Sequence, residues 1–182
     1  MKTYLILLRG INVGGKNKIP MADLKIFLEE MGFKSVATYI QSGNVIVQSK
    51  LEPKTISQKI EENLPKSFKL DSETIKALVL TKEQLRGIVK NKPKGFGDFP
   101  EKYHSDAIFL IGVDSSEVMA AFSPKEGVDK IWTGEGVVYS QRLSSQRTKS
   151  RLNRVMGTPF YKSMTIRNWN TTTKLLSMME NM

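Results

Sequence analysis

The sequence predicts an α+β protein of two tandem βαββαβ units, each ferredoxin-like with a mainly antiparallel sheet, plus a C-terminal helix. Three observations carry this. Short apolar runs alternate with segments of helical period. In each half, two β-rich runs are split by a glycine-containing turn, the signature of a hairpin. The order strand, helix, hairpin, helix, strand then occurs twice along the 182 residues, which is the split-βαβ connectivity. The repeat lies in element order, since the letters of the two halves do not align.

Tyr4 to Leu8 is a short apolar run ended by Gly and Asn, the pattern of a strand buried on both faces. Pro20 fits the first turn of a helix in which Leu24, Phe27, Leu28 and Met31 recur at helical spacing and Gly32 closes. Thr38 to Ser49 forms a hairpin split at Ser42-Gly43. Ile56, Ile60 and Leu64 make a helical stripe stopped by Pro65, and Thr74 to Leu80 is the fourth strand. Thr81 with Gln84 spells a capping box that opens a short helix ending near Asn91. The Pro- and Gly-rich run from Lys92 to His104 is a loop. The second unit follows: a strand over Ala107 to Ile111, a helix capped at Asp114 with Glu117, a hairpin over Ile131 to Tyr139, a basic helix from about Ser145 to Met156, and a strand over Met164 to Arg167. A helix over Asn168 to Met182 closes the chain. The expected division is residues 1–80, a connector over 81–105 and residues 106–182, within one compact body.

Hydrophobic residues make up 40% of the chain, enough for a substantial core. The start carries only five apolar residues before Arg9, too few for the core of a secretion signal, and no run reaches membrane-spanning length. A soluble, cytoplasmic protein without a membrane partner is expected. The absence of cysteine excludes disulfides, thiolate nucleophiles and zinc–cysteine sites. Acidic residues are scattered and His104 is the sole histidine, so no metal site or cofactor is expected. A Ser–His–acid triad would have to use His104 in a loop beside Ser105 and Asp106, where neighbours in sequence seldom have the required geometry.

The formal charge of +10 favours anionic partners. Its distribution is uneven. Between Glu135 and Glu180 there is no acid, yet the stretch carries Arg142, Arg147, Lys149, Arg151, Arg154, Lys162, Arg167 and Lys174; at the other end Lys2, Arg9, Lys16 and Lys18 precede the first acid, Asp23. On the expected helix, Arg147, Arg151 and Arg154 fall on one face, with Leu152 and Val155 available for the core, a stripe able to track a phosphate backbone or to be solvated.

Two motifs mimic nucleotide-binding signatures. Gly10 to Lys16 has the G-x-x-x-x-G-K spacing of a P-loop, but Asn17 stands where Ser or Thr should bind magnesium. Pro20, four residues past Lys16, would also cost about 3 kcal/mol inside a helix that began at the Gly-Lys pair. The loop is therefore not a Walker motif, although Gly10, Gly14 and Gly15 among Arg9, Lys16 and Lys18 leave anion binding open beside a plain strand-to-helix connection. Lys94 to Phe99, K-G-F-G-D-F, begins like the RNP1 motif of RNA-recognition domains, yet it lies in a loop and not on a third strand. At the last helix, Asn168 or Asn170 is a candidate N-cap, with Arg167 and Trp169 beside it; capped helix entrances leave other N–H groups outward as an anion seat.

The stretches Leu7 to Met21, Tyr39 to Val45 and Thr165 to Leu175 (L-L-R-G-I-N-V-G-G-K-N-K-I-P-M, Y-I-Q-S-G-N-V and T-I-R-N-W-N-T-T-T-K-L) resemble the bacterial family known as domain of unknown function 1697. The resemblance spans nearly the whole chain. It implies a compact α+β protein of duplicated ferredoxin-like character and no assigned activity, so no catalytic residue is carried over. Its signatures fall on the polar and basic segments singled out above.

The expectation is a basic binding protein for a phosphorylated ligand or nucleic acid. Its site would comprise Arg9, Asn12, Gly14, Gly15, Lys16, Lys18, Gln41, Ser42, Asn44, Arg167, Asn168, Asn170 and Thr171. The alternatives are an enzyme acting on a small phosphorylated or carboxylated metabolite, and a structural or regulatory partner of another protein.

Overall fold

The computed structural model describes residues 1–71 and 75–182. The chain divides into two compact units, Met1–Arg86 with Leu175–Met182 and Gly87–Lys174.

In the first unit the apolar run becomes β1 (Lys2–Arg9), with Tyr4 to Leu8 all buried. Strands β2 (Lys34–Tyr39) and β3 (Asn44–Ser49) form the hairpin, and β4 (Lys76–Thr81) completes a four-stranded sheet in the order β2-β3-β1-β4. All three pairings are antiparallel. The expected strand start at Thr74 lies outside the described residues. Helices α1 (Met21–Glu30) and α2 (Pro53–Ser67) connect the strands. The even-numbered side chains Tyr4, Ile6 and Leu8 share a core with Leu24, Leu28, Ile56, Ile60 and Leu64, so both helices cover one face of the sheet. Helix α2 does not stop at Pro65 but runs to Ser67, because a proline in the last turn removes one hydrogen bond without breaking the turns before it. After β4 comes α3 (Lys82–Lys90), opened by a reciprocal box in which Gln84 N donates to Thr81 Oγ1 and Thr81 N donates to Gln84 Oε1.

The second unit repeats the order. Its sheet runs β6-β7-β5-β8, formed by β5 (Tyr103–Leu110), β6 (Asp129–Gly134), β7 (Val137–Leu143) and β8 (Met164–Asn168), again antiparallel throughout. Helix α4 (Ser115–Met119) is short, its N-terminus capped by Asp114 Oδ1, which accepts from Ser116 N at 2.8 Å. Ile108, Leu110, Val138 and Met164 pack with Val118, Phe122, Leu152 and Val155 on one face of the sheet. The final helix is α5 (Trp169–Glu180).

Two further expectations are corrected. Strand β5 begins at Tyr103, not Ala107, because Tyr103 to Asp106 pair fully with β7 despite their polarity; cross-strand pairing outweighs local composition. The basic helix expected over Ser145 to Met156, with Arg147, Arg151 and Arg154 on one face, does not form. Three 3₁₀ turns, Ser144–Lys149, Leu152–Gly157 and Pro159–Ser163, fill that connection. Ser150 takes an extended conformation between the first two and its Oγ accepts from Leu152 N, the competition by which serine interrupts helices. Gly157 closes the second turn and Pro159 opens the third.

Candidate functional site

The sequence-predicted residues fall into one group in each unit. In the first unit, the loop after β1 is shaped by asparagine side chains. Asn12 and Asn17 both sit at positive φ, 53° and 48°, which asparagine tolerates better than most residues. The Asn12 amide pairs with the Ile19 backbone in both directions, Nδ2 donating to Ile19 O at 2.9 Å and Oδ1 accepting from Ile19 N at 2.8 Å, and Nδ2 also donates to Gln41 O at 2.9 Å. Asn17 donates through Nδ2 to Gly10 O and exchanges hydrogen bonds with Asp71. Leu8 N donates to Gly43 O, so the loop and the β2–β3 turn are brought together. Gly43 must be glycine there: at φ +73° an added Cβ would stand 2.9 Å from Leu8 Cβ.

This scaffold uses several of the predicted ligand contacts internally. Asn12 is bonded to backbone, and buried Asn44 donates to Tyr39 O and Ser42 Oγ. Gly14, Gly15, Lys16, Lys18 and Gln41 are exposed, whereas Arg9 is half-buried opposite Lys76. The loop therefore presents two flexible ammonium groups on a rigid base.

In the second unit, Asn168 caps α5, its Oδ1 accepting from Asn170 N at 3.0 Å, and Thr172 Oγ1 donates to Asn168 O. Asn170 is exposed and Thr171 half-buried. Arg167 is an interior residue at 7% exposure, donating to Thr165 Oγ1 and Ile166 O. Burial pulls its pKa down to about 10, which leaves it charged at neutral pH. Trp169 is core, stacked edge-on against Phe96 with centroids 4.9 Å apart and lying over Gly97.

The 3₁₀ connection sorts its residues at a period of three. Leu152 and Val155, three apart, are buried, and Arg151 and Arg154, also three apart, are exposed, as expected where residues i and i+3 eclipse. Asp129 Oδ2 accepts from Arg151 N at 2.8 Å and anchors the second turn to β6. Arg147, Lys149 and Lys162 are exposed as well. Among the described residues, none of these five cations has a carboxylate at ion-pairing distance.

A family model described as a protein of unknown function, DUF1697, matches residues 1–139. The chain belongs to the DUF1697 family. A solved structure of the conserved bacterial protein SP0830 from Streptococcus pneumoniae is similar to this DUF1697 chain at 27% identity, covers 98% of each chain and superimposes with a TM-score of 0.79. No curated protein matches.

Sequence reasoning misplaced one constellation of this DUF1697 protein. With His104 and Asp106 on a strand and not in a loop, their i, i+2 spacing puts both on one face. His104 Nε2 lies 3.0 Å from Asp106 Oδ2, and Arg142 Nη1 4.0 Å from the same oxygen. Burial raises the Asp106 pKa above the ordinary carboxylate value, and His104 and Arg142 oppose that rise. Of this pair only His104 lines a cleft of about 210 Å³, together with Tyr103, Ser105, Asn168, Trp169 and Asn170. Ser105 points to the opposite face and donates to Gln141 Oε1 at 3.0 Å, so no triad forms. The signal available in sequence was the alternation Tyr103, His104, Ser105, Asp106, legible only once the strand is extended to it. Among the described residues, no helix is long and apolar enough to cross a membrane and no three metal-ligating side chains cluster.

Proposed function

We propose that this DUF1697 protein is a cytoplasmic binding protein for nucleic acid or another phosphate-rich ligand, held through the basic connection between β7 and β8. One observation carries the reading: Arg147, Lys149, Arg151, Arg154 and Lys162 are exposed on an acid-free run, with no carboxylate partners among the described residues. Unpaired surface cations at this density attract polyanions and exchange condensed counterions for phosphate contacts. Lys16 and Lys18 on the asparagine-braced loop offer a second basic surface in the first unit. Asn168, Asn170 and Thr171 at the α5 entrance supply neutral donors.

Fluorescence anisotropy with labelled single- and double-stranded oligonucleotides, titrated across salt, tests this. The logarithm of affinity should fall with the logarithm of salt at about −0.7 to −0.9 per neutralised phosphate. Undetectable or salt-independent binding would eliminate the reading.

His104, which lines the cleft and pairs with Asp106, favours a second reading, an enzyme acting on a small anionic metabolite, in which the carboxylate orients the imidazole for proton transfer. A thermal-shift screen of nucleotides, sugar phosphates and acyl phosphates separates the two, because a ligand at 100 times its dissociation constant adds about 2.7 kcal/mol. Stabilisation by one metabolite class, with none from oligonucleotides, would favour the enzyme.

A further inference from the structure

We propose that the second unit holds a base-stacking pocket that takes one nucleotide of a single-stranded nucleic acid, formed by Phe99, Tyr103 and Trp132 with Lys94, Lys102 and Lys130. The proposal rests on the nucleic-acid reading above and narrows it to strands with unpaired bases.

The pocket follows from strand geometry. Lys130 and Trp132 are i, i+2 on the edge strand β6 and share a face. Lys130 pairs with Gln141, and Gln141 with Ser105, two residues after Tyr103. These positions lie on the sheet face opposite the one that packs against Val118 of α4, where Ile108, Leu110 and Val138 sit. The loop that begins like RNP1 stands beside that face. Its first aromatic, Phe96, is fully buried between Trp132, Tyr139 and Trp169 and anchors the loop, whereas Phe99 remains 55% exposed. Lys94, Phe99, Lys102, Tyr103, Lys130 and Trp132 together line a cleft of about 230 Å³.

The lining has the two chemistries that unpaired nucleotides need: aromatic faces on which any base can stack, and cations for the backbone. Lys94, Lys102 and Lys130 are solvent-accessible, and Lys102 Nζ sits 5.3 Å from the Tyr103 ring centroid. Asp98, an acid of the same loop, is neutralised by Lys92. The volume lies below the roughly 300–1,000 Å³ of pockets for drug-sized ligands, which suits one base and not a dinucleotide. An exposed phenylalanine among three lysines matches a planar, negatively charged occupant.

The test compares a labelled twelve-nucleotide thymidine strand with an abasic strand of the same length, in wild-type protein and in Phe99→Ala and Phe99→Tyr variants. The Phe99 side chain is replaceable without unfolding, because its turn is held by backbone bonds from Lys102 N and Tyr103 N to Phe99 O. The expected result is at least about fivefold tighter binding of the thymidine strand than of the abasic one, on the scale of one stacked base. Phe99→Ala should abolish that difference and Phe99→Tyr should retain it. Equal, salt-dependent affinity for both strands would overturn the stacking pocket while leaving the basic reading standing. No binding of either strand would overturn both. Displacement of the strand by thymidine monophosphate at concentrations near the strand's own dissociation constant would overturn the strand as occupant, showing the pocket to serve a free nucleotide.

Discussion

The two units have the same strand order but make their second crossover differently. In the first unit the crossover is the 15-residue α2, whose buried Ile56, Ile60 and Leu64 cover the sheet at four-residue spacing. In the second it is three 3₁₀ turns, with Leu152 and Val155 buried at three-residue spacing. The solvent side differs accordingly. Helix α2 mixes Lys54, Lys59 and Lys66 with Glu61 and Glu62, whereas the 3₁₀ connection carries cations alone. The fold requires only a few apolar anchors from this segment, so one unit devotes it to packing and the other has it free for charge.

The largest effect is expected at Ile60→Ala in α2, about 2–5 kcal/mol of stability, with a smaller loss at Val155→Ala. Urea midpoints of the two variants decide it, and equal losses would mean that the 3₁₀ connection is as much a core element as the helix. Gly43→Ala should cost about 1–3 kcal/mol through overpacking against Leu8 and Ile11, while Gly136→Ala at the equivalent turn of the second unit, where a Cβ meets nothing within 4 Å, should cost less. Asn12→Ala should cost about 1–2 kcal/mol by unpairing the Ile19 backbone and should hasten proteolysis within the loop.

The smallest effect concerns pH. The folded-state pKa of Asp106 is raised, so the native state binds its proton more tightly than the unfolded chain does. Stability from this group is fully present below the ordinary carboxylate value of 3.8 and is lost as pH rises through the higher folded value. Asp106→Asn should flatten that decline in urea midpoints measured from about pH 3.5 to 6; an unchanged profile would contradict the assignment.

Strand order, hairpins and the Thr81–Gln84 cap were legible because each is written in local pattern: an apolar run, a glycine turn, a capping pair. The 3₁₀ connection was not, because Arg147, Arg151 and Arg154 satisfy a helical period in sequence. The decision is made by Ser150, extended between the first two turns, and by the anchor at Asp129, a residue 22 positions before Arg151. The start of β5 was hidden for a similar reason, since its polar residues are paired only by β7. At the candidate site, the loop and the β2–β3 turn stand out in sequence by their glycines and asparagines, but sequence could not show that Asn12, Asn17 and Asn44 brace the backbone. Nor could it show that Arg167 is buried while Phe99 is not.

On the proposed function, the acid-free connection of the second unit contacts phosphates. The direct measurement is the salt dependence of single-strand affinity for wild type and for the variant Arg147→Ala, Arg151→Ala, Arg154→Ala. If all three side chains neutralise phosphates, the slope of log affinity against log salt should shrink by about 2, roughly 0.7 for each lost contact, with the thermal midpoint unchanged because all three are exposed. An identical slope in a folded triple variant would contradict the account.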